Sequence, residues 1–287
     1  MPNAICEERN LIDPMPPETA EKLETFFAAV RSAPQSILLL DYDGTMSPFR
    51  IDRFQARPYA GVRQFLARIQ KLGRTRMAVI TGRPAGEIAP MLALDIPFEV
   101  WGLHGAERIA PDGRRQMEQA SPAALATLEQ IRAELARNSF GGLIEDKPNA
   151  VVMHWRGASP QKARAIERKT RKLFEPVAAI DGLSLLDFEA GVELRVGRDK
   201  GGAVEAILAD NRETTGRDAP VAYLGDDLTD EPAFRAVNAA PGPRLSVLMR
   251  RAPRSTAAAI WLRPPDGLRK FLTGWASAQS RASRAES

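Results

Sequence analysis

The sequence predicts an α/β protein with a doubly wound parallel sheet and a smaller α+β module inserted into it. Short apolar runs of buried-strand type alternate with amphipathic helices over roughly residues 36–110. The pattern then changes to a helix followed by a hairpin, twice over. After about residue 197 the strand and helix alternation returns. Alternating βαβ units imply a parallel sheet, so the middle module interrupts the sheet domain.

These changes of pattern predict the domain organisation. An N-terminal extension with one helix precedes a core that the insert splits in two, and a flexible polar tail follows. The expected ranges are 1–33 for the extension, 34–112 and 197–275 for the core, 113–196 for the insert and 276–287 for the tail. Because Pro111-Asp112-Gly113 is a turn signal and Val196-Gly197 ends the insert, we expect hinges at both places.

The first half of the core has a signal for each element. Apolar residues at helical spacing between Leu23 and Val30 predict a helix, and "SILLLD" predicts a buried strand. "GVRQFLARIQKLG" has one apolar face and ends at Gly73, which is typical of a helix stop. "RMAVITGR" predicts a second strand, "PAGEIAPMLA" a helix, and "FEVWGLHGAE" a third strand that leads into a loop.

The remaining elements follow in the same way. In the insert, a helix from about Pro122 to Asn138 precedes a hairpin in "GLIEDKPNAVVMHWRG", and a basic helix precedes a second hairpin in "GLSLLDFEAGVELRVG". The core resumes with a helix in "RDKGGAVEAILADN" and a buried strand in "APVAYLG". "LSVLMR" and "AAIWL" predict the last strands, and "DGLRKFLTGWA" predicts a closing helix.

Composition excludes several classes of protein. The 287 residues are 44% hydrophobic and 26% charged, which is ordinary for a globular protein. Cys6 is the one cysteine, so no internal disulfide framework exists. We find no apolar stretch of about 18 residues and no secretory signal at the start, and therefore expect a cytoplasmic protein without a membrane partner. The 40 basic and 36 acidic residues are interspersed, which disfavours a nucleic-acid binder. Nothing fixes the oligomeric state; we expect a monomer.

Chemically active side chains follow the predicted core strands. Asp41 and Asp43 follow the first strand, Thr81 follows the second, and Asp226 follows a later one. Lys200 opens a helix after the insert, where the helix dipole disfavours a cation. Ligands of parallel sheets bind beyond the carboxyl ends of the strands, so these residues predict one shared site.

Carboxylates gathered at one site repel each other unless a cation lies among them. A few oxygen ligands suit Mg²⁺, and we expect it between the paired aspartates and Asp226. One carboxylate of the pair can attack phosphorus, and the other can exchange a proton with the leaving oxygen. Lys200, the Thr81 hydroxyl and the amides near Gly44 and Gly82 could hold a phosphoryl group.

The order of four motifs resembles the haloacid dehalogenase superfamily. The motifs are "DYDGT", "ITGR", "RDKGG" and "GDDLTDE", and the second aspartate of the first motif is typical of its phosphotransferase branch. "GLHGAE", "IEDK", "HWR" and "VELR" further resemble the trehalose-6-phosphate phosphatase family. The resemblance implies a phosphatase of the sugar-phosphate class, with Mg²⁺ as cofactor and the insert as a cap over the site.

The resemblance also implies roles for individual residues. Asp41 would be the nucleophile and Asp43 the general acid and base, while Asp41, the Asp43 carbonyl and Asp226 would hold Mg²⁺. Thr81 and Lys200 would hold phosphate. Further residues fall into two groups: Asp227 and Asp230 as support for Lys200 or the metal, and Glu145, Lys147, Glu193, His104 and Arg156 as sugar contacts.

Alternatives remain open at this point. Glu145 and Lys147 could be an exposed cross-strand pair, His104 could support the cleft without touching substrate, and His154 could belong to the insert's sheet. The compressed segment "ELRVGRDKG" departs from the family and leaves the sugar open among trehalose, sucrose, glucosylglycerol and mannosylglycerate phosphates. A catalytically silent sensor of a sugar phosphate is the alternative outside enzymes.

Overall fold

The computed structural model describes residues 15–50, 52–94, 97–137, 143–147, 149–180, 182–188 and 191–282. Within them the strands are β1 (Ser36–Leu40), β2 (Thr75–Ile80), β3 (Glu99–Gly102), β4 (Glu107–Ile109), β5 (Arg115–Met117), β6 (Ile144–Lys147), β7 (Ala150–His154), β8 (Leu183–Phe188), β9 (Gly191–Val196), β10 (Val221–Gly225), β11 (Arg244–Met249) and β12 (Ile260–Leu262). The α-helices are α1 (Pro17–Ser32), α2 (Val62–Lys71), α3 (Ala85–Leu92), α4 (Pro122–Arg137), α5 (Pro160–Phe174), α6 (Lys200–Thr215), α7 (Glu231–Ala239) and α8 (Asp266–Ala282). No helix in this part of the chain is long and apolar enough to cross a membrane.

The larger sheet has eight strands in the order β12-β11-β10-β1-β2-β3-β4-β5. The first six of these are parallel, and β4 and β5 add an antiparallel edge. Alternate side chains of β1 enter two different cores: Leu38 and Leu40 pack with α1, α2, α3 and α8, whereas Ile37 and Leu39 pack with α6 and α7. Helices therefore cover both faces, and the predicted doubly wound α/β class is confirmed.

The smaller sheet is antiparallel, in the order β6-β7-β9-β8. Helices α4 and α5 cover one face, where Leu128, Phe174 and Leu194 form a separate core. Glu193 pairs with Val152 on one side and Leu186 on the other, so these three residues share the opposite face. This four-stranded module follows β5 and precedes α6, as the predicted insert does; its role as a cap is taken up below.

The chain enters the insert later than the sequence indicates. Pro111-Asp112-Gly113 is the turn of the hairpin between β4 and β5, and Gly113 takes the left-handed conformation there. Because β5 pairs with the core sheet, the core continues beyond the predicted end at residue 112, and the expected hinge at this turn is wrong. The segment that leads into α4 begins at Glu118.

The C-terminal helix is also longer than expected. The predicted flexible tail begins at residue 276, yet α8 runs to Ala282 and buries Ala276, Ala278 and Gln279. The Gln279 amide donates to Ser36 Oγ at 3.1 Å, at the start of β1. Small residues and one hydrogen-bonded glutamine explain how a polar-looking segment packs against the sheet. Residues 283–287 lie outside the described residues, as do 1–14 of the extension.

Candidate active site

Three predicted site residues lie at the centre of the larger sheet. Strands β10, β1 and β2 are neighbours, and Asp226, Asp41 and Thr81 follow directly after their carboxyl ends. All three side chains belong to buried residues. The parallel register therefore brings together groups that the sequence separates widely, as ligand sites of such sheets require.

Lys200 joins this cluster from the first turn of α6. Its Nζ donates to Asp41 Oδ1 and to Asp230 Oδ1, both at 2.7 Å. The helix begins there because Asp199 is the N-cap, accepting from the Gly202 amide at 2.9 Å. Burial alone would lower the pKa of Lys200, but the two carboxylates outweigh it and raise that pKa. Lys200 is thus a permanent cation at a position that the helix dipole alone would disfavour.

Asp230 fixes the arrangement of the cluster. Besides Lys200, its carboxylate accepts from the Tyr223 hydroxyl at 2.5 Å and from the amides of Asp226 and Asp227 at 2.9 Å. Both of its oxygens are therefore engaged. This agrees with a supporting position for Asp230, since an anion with four donors has little capacity left for a further ligand.

Oxygens of Asp41, Asp226 and Asp230 lie within 4.8 Å of one another. Burial raises the pKa of Asp41 to about 7 despite Lys200, and burial followed by repulsion from Asp41 raises that of Asp226 well above its usual range. A buried group of carboxylates with one lysine is short of positive charge, which fits a hard cation held by oxygen ligands. Asp41 and Asp226 are the members with capacity to hold it.

The glycines of the first two motifs behave differently. Gly44 has φ +82°, and a Cβ there would lie 2.0 Å from Asp226 Oδ2, so only glycine fits. Its amide donates to the Ser47 carbonyl at 2.7 Å and is not free for phosphate, contrary to the prediction. Gly82 borders the cavity beneath the His104 ring, which a Cβ would meet at 2.7 Å. His104 itself has φ +59°, a left-handed conformation that is uncommon outside glycine.

Arg83 is a site residue that sequence reasoning missed. Its Nε donates to Asp43 Oδ2 at 2.6 Å and its Nη2 to Asp43 Oδ1 at 2.7 Å. The hydrogen bond with Asp43 raises the pKa of Arg83. Its position in the "ITGR" motif could have indicated a place at the site. The neighbouring sequence, however, does not show that this arginine pairs with a carboxylate 40 residues earlier in the chain.

A cavity of about 300 Å³ lies between the two sheets. Asp41, Asp43, Thr81, Lys200, Asp226 and Asp227 are among the residues that line it from the core. The four-stranded module contributes Glu145, Val152, His154, Leu186, Phe188 and Glu193. The strand ends and the open face of the smaller sheet thus enclose one space with carboxylates on both sides.

The sugar-contact residues predicted from the sequence are distributed unevenly. Glu145, Glu193 and His104 line the cavity. Lys147 ends β6, and its side chain lies outside the described residues. Arg156 is exposed in the turn after β7 and does not line the cavity, so its sugar contact stays a prediction without support from its position.

Two further residues of the insert contribute to the site's geometry. His154 Nε2 lies 2.9 Å from Glu145 Oε2, and its ring meets the edge of Phe188 with centroids 5.4 Å apart. Arg195 is buried and donates to the Leu103 carbonyl beside His104, so it links β9 to the core. Burial lowers the pKa of Arg195. The alternation of β9 places Arg195 on the same face as Glu193.

Comparison with known proteins identifies the family of this chain. The family model described as trehalose-phosphatase matches residues 39–262, from the first strand to the last. The chain belongs to the trehalose-phosphatase family. The trehalose-phosphate phosphatase of Mycobacterium marinum is 31% identical over 261 residues, a match that covers 86% of this chain and 63% of that relative. The chain therefore spans somewhat less than two thirds of the length of this curated relative.

Solved structures support the fold of this trehalose-phosphatase family member. Trehalose-6-phosphate phosphatase from Aspergillus fumigatus aligns with a TM-score of 0.72 at 21% identity, covering 90% of this chain and 97% of that one. A haloacid dehalogenase-like hydrolase from B. subtilis aligns with a TM-score of 0.59 at 15% identity, covering 83% and 99%. At these identities the structures establish the fold alone, which this chain shares with the haloacid dehalogenase-like hydrolase.

Proposed function

We propose that this chain hydrolyses trehalose 6-phosphate to trehalose and inorganic phosphate. One observation carries the proposal: Lys200 Nζ lies 2.7 Å from Asp41 inside a cavity that Glu145 and Glu193 line from the opposite module. Lys200 and Asp41 suit the binding and transfer of a phosphoryl group. The carboxylates of Glu145 and Glu193 suit sugar hydroxyls, to which charged groups make strong hydrogen bonds. The names of the matched relatives support the same reaction.

The first half of the reaction uses both aspartates of "DYDGT". Asp41 attacks the phosphorus, forming an aspartyl-phosphate as the bond between phosphorus and the sugar oxygen breaks. Asp43 gives its proton to that leaving oxygen, so trehalose departs as an alcohol. Lys200 and Thr81 stabilise the charge on the transferring oxygens.

The second half returns the enzyme to its starting state. Asp43, now a carboxylate, takes a proton from water as the water oxygen attacks phosphorus. The bond between Asp41 and phosphorus breaks, releasing inorganic phosphate and restoring the carboxylate. Asp230 and the Tyr223 hydroxyl keep Lys200 in place through both steps.

We further propose Mg²⁺ as the cofactor, held by Asp41, Asp226 and the Asp43 carbonyl. When bound, it would offset the charge of the carboxylates and of the phosphoryl oxygens. The raised pKa values of Asp41 and Asp226 support this, because they reflect a shortage of positive charge among buried acids.

The four-stranded module is proposed to act as a cap. Its face with Glu145 and Glu193 would bind the disaccharide, and its closure over the core would exclude water. The segments at Glu118 and at Gly197–Asp199, which connect it to the core, would absorb the movement. The sucrose, glucosylglycerol and mannosylglycerate phosphates remain alternative substrates, because the cap side chains alone would distinguish them.

The test is phosphate release from a panel of these sugar phosphates in the presence of Mg²⁺. We expect trehalose 6-phosphate to have the highest kcat/KM, EDTA to abolish turnover, and Asp41→Asn to be inactive. Asp112→Asn, in the exposed β4–β5 turn, is the matched control and should behave as the parent. Preference for another sugar phosphate would refute the substrate while keeping the chemistry. Binding of sugar phosphate without any turnover would favour the sensor.

A further inference from the structure

Arg83 and Asp43 form a bidentate ion pair. The guanidinium makes two parallel hydrogen bonds of 2.6 and 2.7 Å, one to each carboxylate oxygen. Fork-to-fork pairs of this kind are the most strongly oriented ion pairs in proteins. The position of the Asp43 carboxylate at the cavity wall is therefore set by Arg83.

This geometry limits how Asp43 can act as the proposed general acid. A general acid needs one carboxyl oxygen within hydrogen-bond reach of the leaving oxygen, about 2.6–3.2 Å. In the structure the Arg83 guanidinium occupies both oxygens. Each oxygen accepts one hydrogen bond there, so the acidic proton must lie on the side of the carboxyl group that faces away from Arg83.

The surroundings of the pair show which of the two side chains is accessible to substrate. The Arg83 side chain is 8% exposed, lies 5.7 Å from the Tyr42 ring centroid and has its Nη1 3.5 Å from Glu87 Oε2. The Asp43 side chain is 25% exposed, borders the cavity and precedes Gly44. Arg83 is thus held on several sides, whereas Asp43 has open space on the side where substrate would enter.

We propose that Arg83 is a positioning residue that holds Asp43 beside the cavity, with the free side of one carboxyl oxygen directed toward the leaving oxygen of the substrate. This inference rests on the proposed function and deepens it. The step itself is unchanged: the proton passes from Asp43 to the sugar oxygen as the phosphorus–oxygen bond breaks. Arg83 adds the direction of approach, because its two hydrogen bonds fix the rotation of the carboxyl group.

A different role for Arg83 would be direct contact with the substrate phosphate. The two roles predict different kinetics. A phosphate ligand would matter equally for every phosphate ester and for inhibition by inorganic phosphate. A residue that positions the acid matters only when the leaving oxygen needs a proton.

The experiment compares trehalose 6-phosphate with 4-nitrophenyl phosphate, whose leaving group departs as a stable anion. Release of the leaving group is measured in the first turnover by rapid mixing, because Asp43 also serves the second half of the reaction. The variants are Arg83→Gln, Asp43→Asn and the double variant. Arg108→Gln is the matched control, since Arg108 also pairs with a buried carboxylate, Glu99, but outside the cavity.

We expect Arg83→Gln to slow the release of trehalose by about 10–10²-fold, the range for a misplaced catalytic group, and the release of 4-nitrophenolate by less than about threefold. In the Asp43→Asn background, Arg83→Gln should add no further loss, because residues that act as a unit are not additive. Arg83→Lys, which keeps the charge but not the fork, should lie between the parent and Arg83→Gln. Arg108→Gln should keep the parental ratio of the two rates.

Other results would overturn the proposal. Equal losses on both substrates, or a raised inhibition constant for inorganic phosphate, would make Arg83 a phosphate ligand. Additive losses in the double variant would separate Arg83 from Asp43. If Asp43→Asn itself slows both substrates equally, the acid role of Asp43 in the proposed function fails as well. Melting temperatures of all variants distinguish these outcomes from loss of folding, and Arg83→Lys provides the test if Arg83→Gln does not fold.

Discussion

Arg198 binds both carboxylate oxygens of Glu118, a residue 80 positions earlier in the chain. Its backbone amide donates to Glu118 Oε2 at 2.6 Å and its Nε to Oε1 at 3.2 Å. Glu118 lies where the chain leaves the larger sheet, and Arg198 lies where the chain returns to it. The two connections between core and insert are therefore joined to each other at the place where we propose the cap moves.

Glu118→Ala should weaken the binding of disaccharide without weakening that of small aryl phosphates. The substitution removes the acceptor that joins the two connections, so Glu145 and Glu193 lose part of their fixed position over the core. A net loss of about 1 kcal/mol corresponds to about a fivefold rise in KM for trehalose 6-phosphate. Steady-state kinetics on both substrates measures it, with Glu129→Ala, at an exposed position of α4, as control. An equal rise in both KM values would contradict a role in cap position.

Lys200→Met should lower kcat by about 10²–10³-fold, the range for one lost electrostatic stabiliser. It should also destabilise the protein, because Asp41 and Asp230 would remain buried without their shared cation. Steady-state kinetics and thermal melting measure the two effects. Near-parental turnover in a variant that melts at a lower temperature would mean that Lys200 has only a structural role.

Magnesium should stabilise the protein more at about pH 8 than at about pH 5.5, because protons compete for Asp41, whose pKa is raised to about 7. The pKa of Asp41 is higher in the folded protein than in the unfolded chain. The metal-free protein therefore loses stability progressively as the pH rises from the ordinary pKa of an aspartate toward about 7. A cation reverses that loss. Melting temperatures with and without Mg²⁺ across this range, repeated for Asp226→Asn, measure it. A stabilisation by Mg²⁺ that does not change with pH would argue against carboxylate ligands.

Glu99→Gln should destabilise the fold while leaving kcat near the parental value. The buried Glu99 carboxylate accepts from Arg76 Nε at 3.0 Å, Arg108 Nε at 2.8 Å and Trp101 Nε1 at 3.0 Å, outside the cavity. Removing its charge leaves two guanidinium groups with one fewer partner, a change that costs about 3–5 kcal/mol when a buried pair is broken. Urea unfolding measures the loss; a change in kcat at unchanged KM would instead connect this network to the site.

Much of the fold could be predicted because its signals are local. The apolar run before Asp41 predicts β1 on its own, and the parallel arrangement then brings Asp41 and Lys200 together although 159 residues separate them. Helix α1 could be predicted from the spacing of Leu23, Phe26 and Val30, which the structure buries. In a regular fold, short local patterns that predict the strands and helices are therefore enough to predict which distant residues lie close together.

The errors fall where the pattern is short or the partner is distant. Strands β4 and β5 have three residues each, too few for periodicity to be recognised. The packing of Gln279 depends on Ser36, 243 positions away, and composition alone makes that segment resemble a tail. Arg83 was missed because its importance lies in a pairing in space that no spacing rule encodes.

The interruption of the larger sheet by the insert has a consequence for how the chain is made. The insert's elements, α4 to β9, are contiguous in sequence, whereas β1 in the core must pair with β10, which follows them. During synthesis the complete insert emerges before β10, so it can fold while β1 still lacks one of its two neighbouring strands. Asp226 comes directly after β10, and the acidic cluster is therefore among the last parts of the molecule to assemble. A chain that stops short of this point contains the complete insert but lacks the second half of the acidic cluster.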